Sequence, residues 1–209
     1  MNRKKTAILV DGGFLEKSIF KKQKLDVQEV YTYAKKFIEP EEDLFRIYYY
    51  DCYPYDTTSE LPISKTERNY AETPICKEKN RFLDKFAKKE YVALRKGRLA
   101  FQGWRLKNTT INNILEKINN KISIDDEITD NDFVPIFKQK AVDMKIGLDV
   151  AWLASKRIVD RILLITADTD FIPALKFARK EGVQVFICSQ KDVRIHPELI
   201  EHSDGLRNK

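Results

Sequence analysis

Short apolar runs alternate with longer segments of helical periodicity along most of this chain. Residues 6–10 (TAILV) form a β-branched run that ends at Asp11, Gly12 and Gly13, which predicts a buried strand entering a tight turn. Residues 44–50 (LFRIYYY) and 161–166 (RILLIT) predict two more strands of the same kind. Because strands alternate with helices, the pattern predicts an α/β fold with a mostly parallel sheet.

Helical spacing of apolar residues predicts the helices that lie between these strands. They cover residues 14–22, 27–38, 109–120, 142–157 and 171–181, and Gly182 ends the last of them before a strand at 183–188. Residues 91–106 are predicted to form two strands that turn at Gly97. Residues 133–138 are predicted to form an edge strand, because Pro135 has no backbone N–H to donate and is therefore excluded from a central strand.

The length of 209 residues predicts one domain over 1–209 with an insertion at 107–132, where a helix precedes an acidic, turn-rich stretch. The composition, 43% hydrophobic and 33% charged, is that of a folded chain. Three cysteines without a CxxC spacing argue against a disulfide framework or a zinc knuckle. No apolar run approaches the roughly 18 residues of a membrane span. We therefore expect a soluble, cytoplasmic protein.

The net charge of +6 favours a polyanionic partner. Residues 77–98 carry nine basic and three acidic side chains, with Lys88 near the middle. Phe82 and Phe86 in this segment are four residues apart, which predicts a helix with one buried face. The lysines then either form a solvated face or contact the phosphate backbone of a nucleic acid, and the pattern supports both.

Acidic residues follow two of the predicted strands. Asp11 ends the first strand, and Asp168 and Asp170 follow the strand at 161–166. Ligands of parallel sheets bind beyond the carboxyl ends of the strands, so these three acids are expected to converge there. Asp143, in the first turn of the helix before residues 161–166, is a fourth candidate. Their oxygens suit Mg²⁺ or Mn²⁺, whose usual work is phosphoryl chemistry. Each acid taken alone also fits a simpler role as a helix cap or first-turn acid.

Other chemistries fit less well. Both histidines, His196 and His202, lie in the polar C-terminal segment, and no Ser-His-Asp arrangement is evident. Neither GxxxxGK[ST] nor GxGxxG occurs, which argues against phosphate-cradling nucleotide sites. A Toprim-type enzyme would need Glu in place of Asp11, and a HAD-type phosphatase would need Asp in place of Gly13.

Three motifs occur in an order that resembles the NYN domains, specifically the LabA-like (DUF88) branch of the PIN-like nuclease superfamily. They are residues 10–13 (VDGG), residues 140–143 (KAVD) with Asp149 downstream, and residues 166–171 (TADTDF). The resemblance implies a three-layer α/β/α Rossmann-like sandwich with a mostly parallel central sheet. It also implies a Mg²⁺- or Mn²⁺-dependent endoribonuclease.

The resemblance further implies that Asp11, Asp143, Asp168 and Asp170 are the catalytic and metal-binding residues. Lys140, Thr166 and Lys88 are candidates for contact with the RNA, and Asp149 is expected to be structural or to lie outside the ligand set. The alternative from another class is a catalytically silent RNA-binding or regulatory module. The sequence leaves open whether the substrate is RNA or DNA, whether cleavage is endonucleolytic or exonucleolytic, and whether two copies form a homodimer.

Overall fold

The computed structural model describes residues 3–21, 24–123 and 128–209. The chain divides into two compact units, the first made of residues 1–53, 80–98 and 140–209 and the second of 54–79 and 99–139. The segment 107–132, expected to be an insertion, falls inside the second unit. Lys22, the last residue of a predicted helix, and residues 124–127 of that segment lie outside the described residues.

Nine strands and seven α-helices are present in the described part of the chain. The strands are β1 (Lys4–Asp11), β2 (Glu42–Cys52), β3 (Thr58–Glu60), β4 (Glu67–Asn69), β5 (Val92–Leu106), β6 (Phe133–Lys140), β7 (Arg161–Ile165), β8 (Gln184–Ser189) and β9 (Gly205–Asn208). The helices are α1 (Gly12–Phe14), α2 (Val27–Lys35), α3 (Pro74–Phe86), α4 (Asn108–Asn119), α5 (Val142–Ser155), α6 (Ile172–Lys180) and α7 (Pro197–Glu201). A π-helix at Leu15–Ile19 continues α1, where the sequence predicted one regular helix over 14–22.

The central sheet has seven strands in the order β6-β5-β2-β1-β7-β8-β9. The pairs β5-β2, β2-β1, β1-β7, β7-β8 and β8-β9 are parallel. From β1 the chain first builds the sheet towards β2 and β5, and later builds it in the other direction through β7, β8 and β9. The strand order therefore reverses between β1 and β7, which is where sheets of this kind bind ligands.

Helices cover both faces of the sheet in the first unit. On one face Tyr49 packs against Phe82 and Phe86 of α3, in a core that also includes residues of α2. The opposite face is covered by α5 and α6. Residues 7–10 are all fully buried, because the strand is covered on both faces. Burial on both faces also explains why this strand reads as a continuous apolar run in the sequence. The predicted three-layer α/β/α fold is confirmed, as is the buried face formed by Phe82 and Phe86.

The prediction of two strands that turn at Gly97 was wrong, because β5 runs without a break through this residue. Gly97 sits where the backbone is closely covered. A Cβ atom there would lie 2.5 Å from Cγ2 of Val142 and 2.7 Å from Sγ of Cys52. The glycine thus permits a close approach of neighbouring elements, the other common reason for glycine inside a strand.

The second unit contains its own small cluster of aromatic rings. The ring of Tyr55 lies 5.4 to 5.7 Å, between centroids, from the rings of Tyr70, Phe101 and Phe137. Strands β3 and β4 form an antiparallel pair there, and β6 is the edge strand that Pro135 predicted. Within the described residues, no helix is long and apolar enough to cross a membrane. All three cysteines are buried.

Candidate functional site

The carboxyl ends of β1 and β7 meet where the strand order reverses. Val10 pairs with Ile165 in the parallel register, so the residues that follow, Asp11 and Thr166, are neighbours. Asp168 and Asp170 come two and four residues after Thr166. The sequence placed these acids at one edge of the sheet because of the strands that precede them, and the register of β1 with β7 brings Asp11 beside Thr166.

Asp11 uses both of its carboxylate oxygens. Oδ1 accepts a hydrogen bond from the amide of Phe14 at 3.1 Å, which caps α1. Oδ2 accepts one from the hydroxyl of Thr166 at 3.1 Å. Burial raises the pKa of Asp11, and these hydrogen bonds partly oppose the rise. The helix-cap role is therefore real, and the same side chain also joins β1 to the chain after β7.

Gly12 allows α1 to start directly against β2. A Cβ atom at this position would lie 2.7 Å from the carbonyl oxygen of Tyr50 and 2.8 Å from Oδ2 of Asp51. Real Cβ atoms do not approach oxygen this closely, so only glycine fits without movement of the backbone. The glycine after Asp11 consequently fixes where the first helix leaves the sheet.

A chain of hydrogen bonds continues from Thr166 to the later acids. The hydroxyl oxygen of Thr166, which is fully buried, accepts from the amide of Asp168 at 3.3 Å. Oδ1 of Asp168 in turn accepts from the amide of Asp170 at 2.9 Å and caps a short 3₁₀ turn. Thr166 thus orients Asp11 and the Asp168 backbone from inside the protein, whereas Asp168 and Asp170 are exposed.

Asp143 lies in the first turn of α5 and completes the set of four acids. Burial raises its pKa, and the negative charges of Asp168 and Asp170 raise it further. The charge of Asp143 also contributes to the raised pKa of Asp11. Asp143 therefore lies within range of repulsion by each of the other three carboxylates, which makes a cation between them favourable.

Proximity does not amount to an assembled metal site. Among residues 3–21, 24–123 and 128–209, no three His, Cys, Asp or Glu side chains are arranged to enclose a metal ion. Oδ1 of Asp11 and Oδ1 of Asp168 each accept a hydrogen bond from a backbone amide instead. What the structure brings together is an acidic edge with three exposed members.

Asp149 is engaged elsewhere, as its helical spacing suggested. It lies about 240° around α5 from Asp143. Its Oδ2 accepts from the hydroxyl of Tyr50 at 2.8 Å and from Nε of Arg95 at 2.9 Å. Sequence reasoning missed Tyr50 and Arg95, because only the pairing of β2 with β5 shows that they stand side by side.

The three candidate substrate contacts occupy different places. Lys140 is exposed and ends β6, directly before Ala141, whose backbone is left-handed with a φ of 69°. Lys88 is also exposed but lies in the turn before Val92, on the amino-terminal side of β5. Lys140 is therefore next to the helix that carries Asp143, and Thr166 lies beneath the acids. Lys88 is not brought to the carboxyl edge.

Comparison with known proteins identifies the family. Residues 63–206, about two thirds of the chain, match the NYN domain family. The match includes Asp143, Asp168 and Asp170 and begins after Asp11.

One solved structure with a similar fold is a protein of unknown function from Vibrio parahaemolyticus. It is 15% identical, has a TM-score of 0.51, and the alignment covers 99% of this chain and 93% of that one. This likeness concerns the fold alone. A search of curated proteins gave no match. By the match over residues 63–206, the chain belongs to the NYN domain family.

Proposed function

We propose that this protein is a divalent-metal-dependent ribonuclease whose catalytic acids are Asp11, Asp143, Asp168 and Asp170. The observation that carries the proposal is the electrostatic coupling of these residues. Burial and the charges of Asp168 and Asp170 raise the pKa of Asp143. An acid held close to other negative charges, at the switch point of a parallel sheet, is expected where a cation and a polyanionic substrate bind.

The donor set fits a hard divalent cation. Carboxylates are the oxygen ligands that Mg²⁺ and Mn²⁺ prefer, and each oxygen that caps a helix has a second lone pair. Asp143, Asp168 and Asp170 are exposed, so their side chains have room to rotate towards a cation. The chemistry that such a cation supplies is neutralisation of the charge that develops on the phosphoryl oxygens.

The remaining residues of the edge have positioning roles in this proposal. Thr166 holds the carboxylate of Asp11 and the backbone of Asp168 in fixed relation through its buried hydroxyl. Lys140, exposed beside the start of α5, binds the phosphate backbone of RNA. The motifs around Asp11, Asp143 and Asp168 are the grounds for placing the chain in the LabA-like branch.

The variant Asp168→Asn tests the proposed function. We expect it to abolish cleavage of a single-stranded RNA in Mn²⁺ or Mg²⁺, because a neutral amide binds a hard cation poorly. Chelation of the metal should stop the wild-type reaction. Circular dichroism and the melting temperature should match those of the wild type, because the amide oxygen of Asn can still cap the turn.

Asp43→Asn is the matched control, since Asp43 is an exposed aspartate near the start of β2. It should cleave RNA at the wild-type rate. Full activity of purified Asp168→Asn protein, or wild-type cleavage that persists in excess chelator, would contradict the assignment.

A catalytically silent RNA-binding module is the second candidate. It is favoured by one observation, that Asp11 and Asp168 already serve as helix caps. In this case the wild-type protein binds RNA in Mn²⁺ without cleaving it. Single-turnover cleavage measured with enzyme in excess separates the two functions.

A further inference from the structure

A small cleft lies between β5 and α5 in the first unit, beside the acidic edge. It is lined by Leu94, Arg95, Lys96, Lys145, Leu148 and Asp149, with a cavity volume of about 290 Å³. None of the motifs that led to the acids includes its basic residues. The cleft is open, and its cations come from two different elements.

Strand register fixes the position of this cleft relative to Asp11. Asp11 pairs with Tyr50, and Tyr50 pairs with Arg95, so the three residues form a row across β1, β2 and β5. Side chains in such a row point to the same face of the sheet. Two strand spacings separate the Cα atoms of Asp11 and Arg95, which is roughly 10 Å. The cleft is thus a neighbour of the proposed active site on the same face.

Arg95 is held in place by an acid and keeps free donors. Nε donates to Oδ2 of Asp149 at 2.9 Å and Nη2 to Oδ1 at 3.4 Å. A guanidinium has five N–H donors in a rigid plane, and within the described part of the chain Arg95 uses two of them, so three remain for a ligand. The side chain is 39% exposed. Its geometry is preorganised, because Asp149 also accepts from Tyr50 and cannot swing away freely.

Lys145 adds a positive charge to the cleft that Asp149 does not neutralise, because Asp149 is paired with Arg95. Its ammonium donates to the carbonyl oxygen of Lys96. Among the described residues, no carboxylate lies within ion-pair distance of Lys145. The ammonium of Lys96 itself lies 4.5 Å from the ring centroid of Tyr53. The cleft therefore has a fixed guanidinium and one ammonium with two further donors.

We infer that this cleft binds a backbone phosphate of the RNA strand one or two nucleotides from the cleaved bond, with Lys145 and Arg95 as its ligands. The identity of the strand as RNA rests on the proposed function. Leu94 and Leu148 give the cleft an apolar wall against which a ribose packs. The inference assigns guidance of the substrate to Lys145 and Arg95, and not to the basic helix near Lys88.

The test compares Lys145→Gln with Lys88→Gln, which remove the same charge at two exposed or half-exposed sites. Binding of a single-stranded oligouridine is measured by fluorescence anisotropy in chelator, with Asp168→Asn in every protein to prevent cleavage. Lys145→Gln should weaken binding roughly fivefold, the effect of one partly exposed ion pair. The slope of log affinity against log salt should become shallower by about 0.7.

Lys88→Gln should change neither affinity nor slope, and Lys145→Arg, which keeps the charge, should restore both. Equal effects of Lys145→Gln and Lys88→Gln, an unchanged salt slope, or no RNA binding at all would each overturn the inference. The outcome is separable from that of the proposed function. A wild-type protein that binds RNA through Lys145 without cleaving it would refute the nuclease and leave the phosphate site standing.

Discussion

Two glycines of this chain illustrate opposite reasons for the same residue type. At Gly12 a Cβ atom would meet the carbonyl oxygen of Tyr50 at 2.7 Å, so the helix start and β2 leave no room for a side chain. At Gly147, inside α5, a Cβ atom would meet nothing within 4 Å. The first glycine is required by packing, whereas the second lowers the stability of its helix.

Substitution of each glycine by alanine should change stability in opposite directions. Gly12→Ala should lower the free energy of unfolding by about 1–3 kcal/mol, because the backbone near Asp11 must shift to admit the methyl group. Gly147→Ala should raise it by about 0.5–1 kcal/mol through helix propensity. Urea denaturation measures the free energy of unfolding of both variants. An increase for Gly12→Ala as well as for Gly147→Ala would show that the contacts around Gly12 leave room for a methyl group.

At the residue scale, the sequence singled out the four acids and named Thr166 as a candidate contact for RNA, but it did not predict that the Thr166 hydroxyl joins Asp11 to the Asp168 backbone. Asp11, Asp168 and Asp170 follow apolar runs, and that position is visible in one dimension. The role of Thr166 depends on Val10 pairing with Ile165, and a shift of register would separate its hydroxyl from Asp11. Register between strands more than 150 residues apart cannot be read from local pattern.

At the scale of elements, α5 is attached to the sheet through Asp149. The carboxylate receives one hydrogen bond from Tyr50 on β2 and two from Arg95 on β5. The same helix carries Asp143 about 1.7 turns earlier. The rotational setting of α5, and with it the direction in which Asp143 points, is therefore tied to two strands.

Removal of the Tyr50 hydroxyl should loosen this attachment. Tyr50→Phe should lower the free energy of unfolding by about 1 kcal/mol, because Asp149 loses a donor while Arg95 still balances its charge. Tyr91→Phe is the control, since Tyr91 is 54% exposed, and it should have no measurable effect. Chemical denaturation of both variants side by side decides the matter, and an unchanged Tyr50→Phe midpoint would show that Arg95 alone suffices.

The element predictions failed where a residue type has two structural uses. Gly97 within an alternating pattern suggested a turn, but Val142 and Cys52 lie so close that a side chain would not fit. The short strand β9 was not predicted, because four residues carry too little periodicity. Longer helices such as α4 and α5 were located to within two residues at each end, since helical spacing repeats over several turns in each.

At the scale of the whole molecule, one buried carboxylate joins distant parts of the sheet. Glu42 at the start of β2 accepts from Arg161 on β7 at 2.9 Å. It also accepts two hydrogen bonds of 2.8 Å from Arg207 on β9. Burial acts to raise the pKa of Glu42, but hydrogen bonds from Arg207, the Glu39 amide and Arg161 outweigh it, and the pKa is lowered overall.

The stabilising effect of Glu42 should depend on pH in a definite direction. A carboxyl group whose pKa is lowered by folding stabilises the protein above its unfolded-state pKa, near 4.5, and loses that effect as the pH falls through the folded value. Glu42→Gln should therefore cost about 3–5 kcal/mol at pH 7, where two partly buried arginines lose the negative charge that they share. The difference from wild type should shrink below pH 4.5.

Thermal and urea denaturation from pH 7 to pH 3 measures this difference. Glu90→Gln serves as the control, because Glu90 is exposed and its substitution should matter little at any pH. A gap between wild type and Glu42→Gln that stays constant across the range would mean that shape, and not charge, makes Glu42 important.

The sequence alone determined the class of fold, the positions of the main strands and helices, and the four acids at strand ends and a helix start. These follow from local periodicity and from the rule that parallel strands share one carboxyl edge. Tertiary structure alone decided that Thr166 holds Asp11, that Arg95 stands in a row with it, and that Glu42 meets two arginines. Such contacts depend on register and helix rotation, which are set by the packing of residues far apart in the chain.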